Sequence, residues 1–392
     1  MIADKSVWGT LTGIRPAKVA AKLLKAGKNS EETAETLQSE YHVISDRAKK
    51  CTQTAQKAIA LRETLSPKDI ALYIGVPFCK TRCAYCSFVS NNVERSFHLA
   101  EPFTETLIKE LEETAKIADS LGLRVIAIYI GGGTPTALPD ENLEKILNTI
   151  QKTIDFKDLR EYTIEAGRPD TITKTNLELI ANCGASRICI NPQTMSDEIL
   201  AEIGRNHTAE DVIKAVAQIK QTNLDLNMDI IAGLPTDTAR SFAGTLDKVL
   251  ELDPENITVH TLSLKKGSRI MLNNEDIPGG EVVGEMLDYA TEKLESRSYA
   301  PYYIYRQSYI SGGFENTGWS KAGKECIYNI CMMEELCTIL AAGGGGVTKF
   351  VTEDGSRIER EFNAKYPLEY IERTDKIKKK INQMEENYAL SI

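Results

Sequence analysis

Tyr73-Ile74-Gly75-Val76-Pro77-Phe78-Cys79-Lys80-Thr81-Arg82-Cys83-Ala84-Tyr85-Cys86 decides the reading of this chain. Its first half continues Ile70-Ala71-Leu72, a short branched and aromatic run that ends in Gly and Pro, the pattern of a buried strand passing into a turn. The second half spaces cysteines as C-x3-C-x2-C, so three thiols hang on a loop at that strand's C-terminal end. Five further β-rich runs follow, at residues 125–130, 162–164, 187–190, 226–231 and 257–260. Helical patterns separate them at residues 103–121, 142–154, 174–181, 209–220 and 241–250. Repeated strand–helix units imply parallel strands with right-handed crossovers, in an open doubly wound sheet or a full or partial barrel. Either arrangement gathers its chemistry at the C-terminal strand ends. The unusual residues stand there: Gly131-Gly132-Gly133-Thr134-Pro135, Glu165-Ala166-Gly167-Arg168-Pro169, Asn191-Pro192-Gln193 and Gly233-Leu234-Pro235.

Upstream, residues 16–65 are rich in Ala, Lys, Glu, Leu and Gln, and Asn29-Ser30-Glu31-Glu32 has the form of a helix start. After about residue 265 the alternation stops. A helix near 282–296, a Tyr-rich strand at 302–306, a Gly-rich turn at 343–346 and a basic helix around 366–387 are expected there. The division is therefore a helical segment 1–66, a strand–helix unit 67–265 and a smaller α+β substrate or lid domain 266–392.

Composition limits the function. The 392 residues are 42% hydrophobic and 26% charged, enough for a large core, and 47 Lys and Arg against 56 Asp and Glu leave a formal charge of -9. That balance argues against nucleic acid as a partner and against a membrane surface. No run approaches the roughly 18 apolar residues of a spanning helix and the start lacks a signal pattern, so a cytoplasmic protein is expected. Nine cysteines without a secretion signal favour metal or thiol chemistry over disulfides. His42, His98, His207 and His260 are scattered, so sulfur is the expected metal ligand.

Three thiolates on one loop would leave one iron of a cubane cluster open for a chelating cofactor, whereas four would saturate it. Three unrelated buried cysteines, or a zinc site with a distant fourth ligand, are the alternatives. Gly131 to Thr134 fits neither a dinucleotide fingerprint nor a P-loop. Cys326, Cys331 and Cys337 could hold a second cluster, but Ile327, Ile330, Leu336 and Ile339 around them suggest a helical core face. Cys51, Cys183 and Cys189 read as structural.

The C-x3-C-aromatic-x-C form with Tyr85, followed by the Gly-Gly-Gly-Thr-Pro loop after the second strand, resembles the radical S-adenosylmethionine (SAM) superfamily. That resemblance implies a partial (β/α)6 TIM-type barrel, a [4Fe-4S] cluster on Cys79, Cys83 and Cys86, and SAM, which is cleaved to a 5'-deoxyadenosyl radical. Tyr73, Tyr85, Gly132, Gly133, Thr134, Glu165, Gln193, Arg205, Asp229, Ser263 and Val347 match positions that line SAM in the family. Within it, residues 73–79, Gly204-Arg205-Asn206-His207 and Asp229 to Pro235 resemble the oxygen-independent coproporphyrinogen III oxidase branch. Thr12-Gly13-Ile14-Arg15-Pro16, residues 302–307 and Glu315-Asn316-Thr317-Gly318-Trp319 resemble its HemZ-type coproporphyrinogen dehydrogenases.

The implied reaction is oxidative decarboxylation of two propionates of coproporphyrinogen III to give protoporphyrinogen IX in haem biosynthesis. A tetrapyrrole or another anionic substrate is then the partner, with an electron donor such as flavodoxin or ferredoxin. Arg168, Lys265, Lys266, Arg269, Arg306 and Lys321 are candidates to hold its carboxylates, and Tyr302, Tyr303 and Tyr305 to stack on its rings. Two departures stand out. Gly75 replaces the His of the oxidase branch. Tyr328-Asn329-Ile330-Cys331-Met332-Met333 stands where the haem chaperone branch reads His-Asn-x-x-Tyr-Trp.

Overall fold

The computed structural model describes residues 6–13, 15–86, 91–265, 268–273, 275–307, 310–352 and 357–389. Its strands are β1 (Asp69–Val76), β2 (Phe78–Cys79), β3 (Asn91–Asn92), β4 (Arg124–Gly132), β5 (Glu161–Gly167), β6 (Arg187–Gln193), β7 (Asp225–Ala232), β8 (Asn256–Thr261), β9 (Ala300–Arg306), β10 (Glu315–Ser320), β11 (Thr338–Gly343), β12 (Val347–Val351) and β13 (Ile358–Phe362). Eleven of them form one sheet in the order β13-β12-β11-β1-β4-β5-β6-β7-β8-β10-β9, and β2 pairs with β3 apart from it. The six strands from the alternating segment, β1 and β4 to β8, lie parallel and side by side in chain order. Because the order has two ends, the sheet is an open, partial barrel.

Residue parity explains which way the sheet curls. Ile70, Leu72, Ile74, Ile128, Ile130, Ile164, Ile188, Ile190, Met228, Ile230, Ile257 and Val259 face the helices and form the main core with them. Side chains in a strand alternate between faces, so the intervening residues line the other, concave face. The helix Ala100–Ser120 shows the matching pattern, burying Phe103, Leu107, Leu111, Ala115 and Ala118 along one stripe. Each such large apolar side chain contributes about 1.5–3 kcal/mol by leaving water.

The strands run one to three residues past the predicted ends, so Gly131-Gly132, Glu165-Ala166-Gly167 and Asn191-Pro192-Gln193 lie in the last residues of β4, β5 and β6, not on loops after them. The chain beyond residue 265 also continues the sheet. β11 runs parallel beside β1, extending one edge with β12 and β13, while antiparallel β10 and β9 extend the other. Thr338–Gly343 is wholly buried and has no alternation, and Glu315–Ser320 is polar and glycine-bearing, so neither looks like a strand by pattern.

The side chains of Glu315 and Asn316 in β10 have partners. Glu315 accepts from Trp8 Nε1 at 3.0 Å and Lys50 Nζ at 2.7 Å, with Arg47 Nε 3.1 Å away. Burial alone would raise the Glu315 carboxyl, but Lys50 and Arg47 outweigh it and hold it at about 2. Those residues belong to the N-terminal region, whose helices are Ala17–Lys25, Ser30–Tyr41 and Ser45–Glu63. Asn29 caps the second in a capping box with Glu32, as its sequence suggests.

Asn316 accepts from Thr261 N at 2.9 Å. Gly318 has no side chain because the Tyr303 ring lies over it: a Cβ there would stand 1.9 Å from Tyr303 Cε1.

At the N-terminal end of the barrel, Glu161 accepts from Arg187 Nη1 at 2.6 Å and Ile327 N at 2.7 Å, and from Cys326 Sγ at 3.1 Å. This seats the helix Ile327–Glu334 as a floor under the concave face. Tyr328 stacks on Tyr129 from below at 4.5 Å between centroids. Cys326, Cys331 and Cys337 are buried in this floor, and Cys51, Cys183 and Cys189 are buried elsewhere.

Candidate active site at the open end of the barrel

Pro77 follows the last residue of β1, and the chain turns into the cysteine loop. Gly133 N donates to Val76 O at 2.8 Å and Thr134 N to Phe78 O at 2.7 Å, stapling the glycine loop to the root of the cysteine loop. A Cβ on Gly133 would sit 2.4 Å from Phe78 O, so close backbone approach requires glycine here. Cys79 Sγ lies 3.6 Å from Thr134 Oγ1. Further along, Ala84 N donates to Ile203 O at 2.9 Å, and Arg168 Nη1 donates to Thr81 Oγ1 at 2.5 Å. Arg205 is buried. Its Nη2 donates to Tyr85 Oη at 3.1 Å and its Nη1 to Asn191 O at 2.6 Å, which sets a guanidinium beside Cys83.

All three loop thiols are partly exposed, while the other six cysteines are buried. Among the described residues no three His, Cys, Asp or Glu side chains already enclose a common metal position.

Below the rim, the concave face carries Tyr73, Tyr129, Glu165, Asp229, His260 and Tyr305. Parallel registers set their order: Tyr73 lies opposite Tyr129, Asp229 opposite Thr258, and Ile231 opposite His260, two residues further along β8. Tyr129 Oη donates to Glu165. Burial, with Asp229 nearby, raises the Glu165 carboxyl to about 7 despite that hydrogen bond. Burial would also raise Asp229, but His260 and the 2.9 Å bond from Asn227 Nδ2 hold it below its ordinary value. His260 Nε2 stands 3.6 Å from Asp229 Oδ2, and Tyr305 Oη stands 3.4 Å from His260 Nδ1.

The residues fit the cluster and SAM that the motif implies. Three soft donors share one short loop, the correct donor type for iron–sulfur ligation. Above them, Asn191 Oδ1, Gln193 Oε1 and Arg205 Nε are buried without partners, as expected of groups kept for a polar ligand. Gln193 also holds φ 68°, a strained setting for a residue with a side chain.

Ser263 bridges to Ile310 just beyond β8. Val347 opens β12 directly after the Gly343 to Gly346 turn, whose Gly344 would touch Pro77 through any added Cβ, at 2.6 Å. That turn also explains Gly75. A Cβ on Gly75 would meet Gly344 O at 2.5 Å, so the space of the missing His side chain is filled by the C-terminal chain.

Most of the candidate substrate cations have structural partners. Arg168 binds Asp170 and Thr81, Arg306 binds Leu11 O and lies over Trp8, Arg269 reaches Glu202 O, and Lys321 pairs with Asp253. Burial lowers Lys265, and Lys266 lies outside the described residues, as does Ile14 of the N-terminal motif. Tyr302 and Tyr303 are buried, so only Tyr305 of that group reaches the mouth half-exposed. Sequence pattern does not single out Tyr129 or His260 for this site. Tyr129 shares the parity of Tyr73, but placing His260 needs the β7–β8 register.

A sequence profile for the Radical SAM superfamily matches residues 73–249. The oxygen-independent coproporphyrinogen-III oxidase-like protein HemZ of Bacillus subtilis is 37% identical over 372 residues, covering 93% of this chain and 74% of that protein. The heme chaperone HemW of Haemophilus influenzae is 27% identical over 305 residues, covering 77% of this chain and 76% of that protein. The solved coproporphyrinogen III oxidase HemN of Escherichia coli superposes with a TM-score of 0.64 at 20% identity, covering 82% of this chain and 72% of that one. This last likeness is one of fold.

Proposed function

We propose a reading that starts from one established premise: this chain belongs to the radical SAM superfamily, whose cofactors are a [4Fe-4S] cluster and SAM. The reading is oxygen-independent oxidative decarboxylation of coproporphyrinogen III to protoporphyrinogen IX, a step of haem biosynthesis. Cys79, Cys83 and Cys86 hold the cluster, while Tyr73, Tyr85, Gly132, Gly133, Thr134, Glu165, Gln193, Arg205, Asp229, Ser263 and Val347 line SAM. Bound there, the two supply a radical able to abstract hydrogen from carbon. Each of two propionates gives up a β-hydrogen atom to such a radical and then loses carbon dioxide and one electron to become vinyl, the released electron balancing the one spent in cleaving each SAM. An electron donor such as flavodoxin or ferredoxin serves the cluster. The protein's own part is positioning and exclusion of water: residues 67–265 carry all of these residues except Val347, while residues 1–66 and 266–392, the latter bringing Val347, close the site. Among the described residues no helix is long and apolar enough to cross a membrane, in keeping with a cytoplasmic enzyme on a diffusible substrate.

The observation that carries this reading over haem carriage is the floor helix. HemW-type relatives keep the chaperone reading open. In this chain, however, Tyr328 and Cys331, within the stretch that replaces the chaperone motif, are 3% and 0% exposed under the barrel. Side chains buried there cannot reach a haem approaching from solution. An anaerobic reaction of reconstituted protein with reductant, SAM and coproporphyrinogen III tests the reading. Protoporphyrinogen IX should form, and should be lost in Cys83→Ala. 5'-Deoxyadenosine without any change in the tetrapyrrole would sink the substrate, and stoichiometric haem binding in its place would favour the carrier.

A further inference from the structure

The interior of the barrel mouth poses a charge problem for an anionic substrate. Asp229, held below its ordinary value, repels one, and Glu165, raised to about 7, does so above that pH. The nearby guanidiniums are already committed, Arg187 to Glu161 and Arg205 to Asn191 O and Tyr85. The base that stands beside these carboxylates is His260, whose side chain is still 27% exposed next to Asp229 at 17%.

Its two ring nitrogens face different groups. Nε2 lies 3.6 Å from Asp229 Oδ2, and Nδ1 lies 3.4 Å from Tyr305 Oη. Tyr305 is held through Tyr303, which is itself fixed twice. The Tyr305 ring stacks on Tyr303 at 6.2 Å and 11° between planes, Tyr303 Oη reaches Thr258 Oγ1 at 3.2 Å, and Gly318 leaves room for the Tyr303 ring. The other titratable groups facing this set include Glu165 on β5, Cys189 on β6, Tyr303 on β9, and Tyr73 and Tyr129 on β1 and β4.

We propose that Tyr305 is the hydrogen-bond donor that holds a substrate carboxylate at the barrel mouth, and that His260, positioned by Asp229, sets the direction in which its hydroxyl points. The proposal rests on the reading of the substrate as a polycarboxylate. With a neutral imidazole, Nε2–H faces Asp229 and Nδ1 accepts the Tyr305 O–H, so that hydroxyl offers only lone pairs to a ligand. A proton taken up at Nδ1 reverses the contact. Nδ1–H then donates to the Tyr305 oxygen, and the O–H turns outward to donate to an anion. Carboxylate binding is thereby coupled to uptake of one proton, and is weaker when His260 is neutral. A stacking role for Tyr305 alone would carry no such coupling.

The test uses the full chain, anaerobic, with cluster and SAM loaded, and follows coproporphyrin III by fluorescence quenching at about pH 6 and about pH 8. Coproporphyrin III tetramethyl ester is the uncharged control. Wild type should bind the tetracarboxylate about tenfold more tightly at the lower pH, the order expected of one charge-assisted hydrogen bond, and the ester with no such slope. Glu165 loses its proton over the same interval, so Tyr305→Phe and His260→Gln should each reduce the slope by the same amount, leaving only the part that Glu165 contributes. A purely structural role would shift both pH values together. If Tyr305→Phe folds poorly, the His260→Gln slope decides alone. Wild type binding equally at both pH values, or either variant keeping the full wild-type slope, overturns the assignment and leaves the decarboxylase standing. Wild type that neither binds the tetracarboxylate nor forms protoporphyrinogen IX overturns the decarboxylase, and this assignment with it.

Discussion

Restoring the imidazole of the oxidase branch by Gly75→His should damage the protein instead of improving it. The last residue pair of β1 with β11 is Gly75 opposite Gly343, and each glycine blocks a side chain on the other strand. A Cβ on Gly75 would stand 2.5 Å from Gly344 O, and one on Gly343 would stand 2.2 Å from Gly75 O. Ordinary contact begins at 3.4 Å, so even Gly75→Ala requires the turn to move by 3.4 minus 2.5, about 0.9 Å. The obstacle is backbone, which cannot rotate aside. Overpacking of this kind costs about 1–3 kcal/mol. We expect Gly75→Ala to lose about 2 kcal/mol and Gly75→His more, with the Gly343 to Gly346 turn displaced from Pro77. Urea unfolding with the slope held common gives the free energies. Limited proteolysis should show new cleavage in residues 343–346 of the His variant. A Gly75→Ala protein within about 0.5 kcal/mol of wild type would refute the interlock, and Gly75 would then be a site of lost function only.

Glu315→Gln should lose about 3–5 kcal/mol near neutral pH, because Lys50 and Arg47 keep their charge in a buried place. The Glu315 carboxyl is held at about 2 in the fold against 4.5 ordinarily, so its contribution is present above about 4.5 and is lost as pH falls toward 2; the gap between variant and wild type should close over that window in denaturant titrations. The opposite sign applies to Glu165. Its folded value of about 7 means the native state binds the extra proton, so wild type without cofactors should lose stability as pH rises from about 4.5 to 7, and the melting temperature of Glu165→Gln should not follow. Buried Glu110 gathers Lys380, Tyr370, Asn363 and Gly343 N. Lys380→Met should cost about 3–5 kcal/mol, Lys380→Met with Glu110→Gln clearly less than the sum of the singles, and additive losses would dismiss the pair as coupled.

Local patterning was enough for the alternating strands and helices, the cysteine loop and the glycine loop at one rim, because strand periodicity, turn residues and a three-thiol spacing are short-range features. Asn29 is a case in point: its capping box involves four consecutive residues. The same holds for Tyr73. Its neighbours Leu72 and Ile74 pack outward into the main core, so strand alternation alone turns Tyr73 inward. What lay beyond such reading depended on contacts between distant segments. Thr338–Gly343 is a parallel strand only because β1 offers it an edge, and Gly75 is glycine only because Gly344 arrives there from 269 positions later in the chain (344 minus 75). Four of the six basic candidates proved to have structural partners, since a Lys or Arg in sequence does not reveal which carboxylate or carbonyl will face it. His260 looked isolated for the same reason. Its meeting with Asp229 and Tyr305 is made by the register of β7 on β8 and by Gly318 admitting a ring across β10, and register is a property of the packed sheet, not of any one strand.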